Sequence, residues 1–331
     1  MPVRQPRARG LALTAVGLFV AMTACGAGPG RATPASAPDD QSPVPPPLAA
    51  RADPALAAGI ICSRSLPGVR AGSGLLARGS RLLVVQDDVP ALAVIDPAGD
   101  AIEHLPLIGD GAAMPKATKP DFEAVVEGPG GAVYVIGSGS SSARRRIAKL
   151  TRDGPVELID AAPLHAVLTV ALGGDPNIEG AIVVGGRVWL LHRGAGDRPS
   201  VLFEVDAAAL DGGEPGPAVA RAIDLGTIAG VRLTFTDATR GPDGERMIYL
   251  AVAEDTPNAI DDGPIRGAAV GVIAGDEARY ATLRESDGSP SVRKVEGIVL
   301  DPDGRAGWVV TDPDDATRTA DLCRLELTGA W

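Results

Sequence analysis

Short apolar runs rich in Val, Ile and Leu recur along this chain, separated by Gly, Pro and Asp. Clear examples are Leu82-Leu83-Val84-Val85, Val133-Tyr134-Val135-Ile136, Val188-Trp189-Leu190-Leu191, Met247-Ile248-Tyr249-Leu250 and Trp308-Val309-Val310. Runs this short, without a helical period, read as β-strands. Asp153-Gly154, Asp243-Gly244 and Asp303-Gly304 lie between strands and carry the strongest short hairpin signal. Helical patterns are scarce, so the chain is expected to be all-β.

The strands belong to a longer repeat. Residues 178–189 align without a gap on residues 72–83, and further copies open at Phe122-Glu123-Ala124, Phe235-Thr236-Asp237 and Val295-Glu296-Gly297. The anchor positions Ser73, Glu123, Glu179, Thr236 and Glu296 stand 50, 56, 57 and 60 residues apart. A unit of that size with about four strands is a propeller blade. The expectation is a β-propeller of five blades, with six, one of them degenerate, as the alternative. The last unit has three strands before Trp331. The lone strand at Ala58–Ser65 is therefore expected to close the ring as its fourth, beside Leu322–Leu327, which would bring Cys62 next to Cys323.

The start of the chain sets the compartment. Arg4, Arg7 and Arg9 precede a largely apolar run from Leu11 to Ala24, too short to span a bilayer comfortably and shaped like a secretory signal. Met22-Thr23-Ala24-Cys25 resembles the lipobox of bacterial lipoproteins, with Met22 where Leu is usual. That resemblance implies cleavage before Cys25, lipidation of its thiol and anchoring at the cell membrane; an ordinary secretory signal is the alternative. The expected layout is a signal at 1–24, a disordered Pro/Ala/Gly-rich tether at 25–52 and the propeller at 53–331. With Cys25 lipidated, two cysteines remain, and in an oxidising compartment Cys62 and Cys323 are expected to pair.

Charge narrows the function. The 331 residues carry a formal charge of −11, and loss of the three signal arginines takes it to −14. An acidic exported domain suits divalent cations and excludes a nucleic-acid partner, which would need a basic face. The propeller topology gathers Glu123, Glu179, Asp237 and Glu296 at one channel mouth, with the ends of the second strands around them. Oxygen ligands from separate blades suit Ca²⁺. The alternative is that each acid accepts hydrogen bonds from backbone amides of the next blade and spaces the ring. His192 falls at the same mouth, where it is a candidate general base or a plain strand-end histidine. Ser138, Ser140 and Arg144 form a candidate anion site, or else a flexible solvated loop.

The Glu-Gly and Glu-Ala openings of the inner strands resemble those of esterase-like, phytase-related propellers and gluconolactonase/regucalcin-type propellers. Asp-Phe-Glu-Ala, Gly-Ser-Gly-Ser and Ile-Glu-Gly resemble uncharacterised bacterial propeller proteins most. The resemblance implies a metal at the channel mouth and, in some members, hydrolysis of esters or lactones. Ser73 and Thr236 depart from a full acidic ring. No His-Glu-x-x-His, P-loop or Gly-x-Ser-x-Gly motif is present. Two readings stand: a monomeric, membrane-anchored propeller binding a small molecule or protein at its mouth with Ca²⁺, or a metal-dependent hydrolase of a phosphoester, ester or lactone.

Overall fold

The computed structural model describes residues 46–196, 198–256, 263–315 and 317–331. The expected signal, Cys25 and most of the tether lie outside the described residues. Two strands, β1 (Leu48–Ala52) and β2 (Ala57–Ser65), come first. The tether boundary is thus corrected: Leu48–Ala52 is a strand, held by parallel pairing to strands of two different units, described below.

Four-stranded antiparallel units follow. The first is β3 (Gly72–Arg78), β4 (Arg81–Gln86), β5 (Ala91–Ile95) and β6 (Ile102–Pro106). Next come β7 (Phe122–Glu127), β8 (Val133–Gly137), β9 (Arg146–Leu150) and β10 (Glu157–Asp160). After the helix α1 (Ala162–Leu172), the third unit holds β11 (Ile178–Val184), β12 (Arg187–His192), β13 (Ser200–Asp206) and β14 (Val219–Asp224). A small hairpin, β15 (Thr227–Ile228) and β16 (Val231–Arg232), leads to β17 (Thr234–Arg240), β18 (Met247–Glu254), β19 (Ile265–Ala274) and β20 (Glu277–Arg284). The last three strands are β21 (Val295–Leu300), β22 (Ala306–Thr311) and β23 (Asp321–Thr328).

β2 lies antiparallel to β23 with Cys62 opposite Cys323, and the two sulfurs are bonded. β1 runs parallel to both β14 and β20, and β2 touches β20, so the outer edges of these units are joined. The first strands contact one another in succession, β3 to β7, β11, β17 and β21, and β21 contacts β3 again. This architecture is a β-propeller.

The apolar runs are continuous rather than alternating because both faces of most sheets are covered. Five buried apolar clusters fill the spaces between neighbouring units among the described residues. Leu83, Val85 and Leu92 meet Phe122 and Val135, for instance, while Ile248 and Leu250 meet Ile298 and Val309. The helix α1 was not legible in the sequence. It fills the connection before β11 by burying Leu164, His165 and Leu168, and stops at Gly173, which is left-handed at φ 73°.

The disulfide closes a loop of 261 residues, for which chain entropy predicts roughly 5 kcal/mol of stabilisation at most. Replacing both cysteines (C62A with C323A) is expected to cost about 2–5 kcal/mol in urea unfolding. An unchanged midpoint would show that the β2–β23 ladder alone fastens this edge.

Candidate functional site

One irregularity recurs at the head of every inner strand. Pairing slips by one residue between Gly72 and Gly74, Phe122 and Ala124, Ile178 and Gly180, Phe235 and Asp237, and Val295 and Gly297. The extra residues are Ser73, Glu123, Glu179, Thr236 and Glu296, the anchor positions of the repeat. A bulge leaves its extra residue out of the ladder and re-aims the side chain. Ser73 and the three glutamates line one cavity of about 910 Å³. The glycine after the anchor is required by close approach of the inner strands. A Cβ on Gly180 would lie 2.9 Å from the Asp237 Cα, and one on Gly297 2.9 Å from the Gly74 carbonyl carbon.

The cavity wall is charged, and the chain supplies its own cations. The Lys119 ammonium lies 2.9 Å from Asp87 and 2.8 Å from Asp121, and Arg144 lies 2.6 Å from Asp121. Arg193 pairs with Glu254 and lies 3.9 Å from Glu179. Lys294 lies 3.3 Å from Glu296, 3.6 Å from Asp312 and 2.7 Å from Asp314. Asp121 and Asp314 hold left-handed backbones, with φ of 52° and 49°, an arrangement that short polar side chains tolerate.

Burial governs ionisation here. It pushes the Glu296 pKa well above the usual carboxylate range, against the pull of Lys294, and it lifts Asp312 to about 7 in spite of the same ammonium. Glu179 is raised by burial although Arg193 and Lys294 oppose the shift. Glu123 is also pushed well up, by burial and then by Asp121, Glu179, Asp87 and Glu296, all of them acids. It is the exception at the wall: among the described residues its carboxyl has no ion pair and no hydrogen bond.

The expected site residues are only partly brought together. Glu123, Glu179, Glu296 and His192 share the cavity, as do Ser140 and Arg144. Asp237 does not. It sits in the ladder one position past the bulge, fully buried, and its carboxylate accepts from the Ile298 amide at 2.9 Å. Burial raises its pKa while the amides of Ile298, Ala238 and Leu75 oppose the rise. Its carboxylate holds the adjoining inner strand and does not line the cavity, and Thr236, the true bulge residue, donates to the Val295 carbonyl at 2.7 Å.

The expected calcium ligands do not fit one ion. Among the described residues, the trio whose ligand oxygens all lie within 4.8 Å of one another is Asp87, Asp121 and Glu123, and Lys119 already bridges two of these. The expected anion site is likewise filled from within. The Ser138 hydroxyl donates to Asp121 at 2.8 Å, and Arg144 donates to Ser140 at 2.8 Å while pairing with Asp121. The anion these groups hold is a side chain of the protein.

His192 lines the cavity with one edge of its ring held by the backbone: Nδ1 lies 2.8 Å from the Asn177 amide nitrogen and 3.2 Å from the carbonyl oxygen of the same residue. Burial depresses its pKa to about 4, so the ring stays neutral near pH 7. Sequence reasoning missed Lys119, Asp121 and Lys294 as site residues, and it placed Arg193 at the mouth, at the end of a second strand, without a role as counter-charge. A signal existed: of only four lysines, Lys119 and Lys294 stand just before inner-strand glutamates.

The fold and site together define a β-propeller with a charged cavity at the heads of its inner strands. Residues 68–327 match the family of unknown function DUF6929, and the chain belongs to that family. No curated protein matches it. Solved structures similar to it include the Penicillium chrysogenum α-L-arabinanase complexed with arabinobiose, at 10% identity and a TM-score of 0.48, covering 80% of this chain and 99% of that one. The Myxococcus xanthus glutaminyl cyclase matches at 12% identity and a TM-score of 0.45, over 86% and 100% of the two chains. The Cps50 (Swd1) β-propeller domain of Myceliophteria thermophila matches at 10% identity and a TM-score of 0.35, over 76% of this chain and 65% of that one.

The cations set a prediction. Lys294→Met leaves Glu296, Asp312 and Asp314 facing each other without a counter-charge. Loss of one partner from a buried ion pair costs about 3–5 kcal/mol. The raised carboxyl pKa of Asp312, about 7 against an ordinary 3.8, means that its protonated form is favoured in the fold. That contribution is complete below the ordinary value and lost as pH rises through about 7. The variant's deficit in urea unfolding is therefore expected to be larger at pH 8 than at pH 5; an equal deficit at both would contradict the charge account.

Proposed function

We propose that this chain is a binding protein, a five-bladed propeller whose ring is fastened by β2 and the Cys62–Cys323 bond. In this reading it holds a small polar ligand in the cavity at the heads of the inner strands. One observation carries it: the cavity is ligand-sized, about 910 Å³, and the acids of its wall have partners within the chain except Glu123. Burying polar groups against a cavity costs free energy that a bound partner would offset. Five inner strands in mutual contact, from β3 round to β21, support five blades rather than six. Hydrolysis through His192 would rely on a buried ring whose pKa burial holds down to about 4, a weak base. Calcium as a structural element would have to displace Lys119 from Asp87 and Asp121.

The protein acts, on this proposal, outside the cytoplasm, tethered through a lipid on Cys25. A disulfide between β2 and the last strand suits an oxidising compartment. No described helix is long and apolar enough to cross a membrane.

A thermal-shift screen of sugars, amino acids, organic acids, amines and CaCl₂ is expected to yield at least one stabilising compound. Its shift should fall by more than half in Glu179→Gln or Asp312→Asn. No stabilising compound, or hits indifferent to both substitutions, would remove the binding reading. Labelling of cells with a radioactive fatty acid is expected to mark the wild type and not Cys25→Ser; equal labelling would refute the anchor.

A further inference from the structure

The cavity wall is built from ion-paired groups that are short of positive charge. Arg193 serves two carboxylates, Glu179 and Glu254, and Lys294 serves three, Glu296, Asp312 and Asp314. The remaining wall cations that are not at the exposed rim, Lys119 and Arg144, converge on Asp121. Glu123 is left over. Its ligand oxygen lies within 4.8 Å of oxygens of Asp87 and Asp121, and no cation among the described residues pairs with it.

Ser73 supplies an independent sign of a missing partner. It is the bulge residue of the adjacent inner strand, in contact with the strand that carries Glu123, and it lines the same cavity. Ser73 is only 2% exposed, and its hydroxyl is buried with no hydrogen-bond partner. A hydroxyl left so costs free energy unless something binds it. A hydroxyl that accepts, beside a carboxyl that accepts, in a field of surplus negative charge, matches a group that carries several donors and a positive charge.

We propose that Ser73 and Glu123 form the seat for the ammonium group of an organic amine, whose remaining atoms occupy the rest of the cavity. The inference rests on the binding reading above and deepens it to a ligand class. A primary ammonium brings three N–H donors, enough for the Ser73 Oγ and the Glu123 carboxyl with one to spare. Lys119 shows locally that an ammonium is accommodated between carboxylates of this wall at 2.8–2.9 Å. The cavity far exceeds the space a single metal ion needs, so a charged head with an organic body fits it better than a bare cation.

The test uses the full chain and three probes of equal chain length, n-butylammonium, n-butanol and butyrate, followed by saturation-transfer NMR at matched ionic strength. n-Butylammonium is expected to give the signal, and n-butanol and butyrate little or none. In Glu123→Gln and, separately, in Ser73→Ala, the amine affinity should fall at least tenfold; circular dichroism identifies any variant that has not folded, and either variant alone decides the matter. Amine binding unchanged in a folded variant would reveal a diffuse attraction to the acidic surface and overturn the proposal. So would equal binding of n-butanol or butyrate, or stabilisation by CaCl₂ that exceeds the amine's and vanishes in Glu123→Gln. If the amine fails while another compound still binds in a way that depends on Glu179 or Asp312, only this inference falls. If nothing binds at all, the binding reading falls with it.

Discussion

A single extra residue at the head of each inner strand determines the rest of this molecule. In a regular ladder, Ser73, Glu123, Glu179, Thr236 and Glu296 would be paired in sequence with the second strand of each unit. The bulge removes them from the ladder and turns four of the five toward a common space. Two buried glutamates, Glu179 and Glu296, and a half-buried one, Glu123, face one cavity, where desolvation disfavours their ionised forms and favours nearby counter-charge. Lys119, Arg193 and Lys294 are the consequence. They come from segments that precede an inner strand or follow a second strand, the places that share the mouth with the bulges.

The residue after each bulge obeys a different constraint. Inner strands approach so closely there that Gly74, Gly180 and Gly297 have no room for a side chain directed at their neighbours. Ala124 is the smallest departure. Asp237 is the largest, and it is tolerated because its carboxylate takes up the backbone amide of Ile298 on the adjoining strand. The same repeat thus places one polar residue at the cavity and another, one position later, between strands. Buried carboxylates that look alike in sequence serve opposite ends: Glu296 faces ligand space, and Asp237 replaces a missing backbone partner.

Several groups with binding or catalytic chemistry have their partners within the chain. Ser138, Ser140 and Arg144 have the chemistry to hold an anion, and Asp121 fills that role within hydrogen-bonding distance. His192 has the chemistry of a base, and the backbone of Asn177 holds its Nδ1 edge. His165 shows the cost of such packing. It is fully buried in α1 with both ring nitrogens unpartnered, its pKa held down to about 4 by burial and then by Arg145. Where polar groups do find partners inside the chain, what remains open is the more telling.

By itself the sequence determined the strands, their grouping at a period of about fifty to sixty residues and the pairing of Cys62 with Cys323, because these follow from local apolar runs and from counting. It also determined which residues stand at the anchors, since the bulge lies at the same offset from the same Phe, Ile or Val in four of the units. The tertiary structure alone decided which anchors have partners. Ion pairs such as Lys294 with Asp314, or Arg193 with Glu254, join residues 20 and 61 positions apart. Their formation depends on where strand ends within one unit, or in neighbouring units, meet in space, a distance no local pattern encodes. The same reason hid the strand at Leu48–Ala52, whose composition resembles a tether and whose order comes from the edges of β14 and β20.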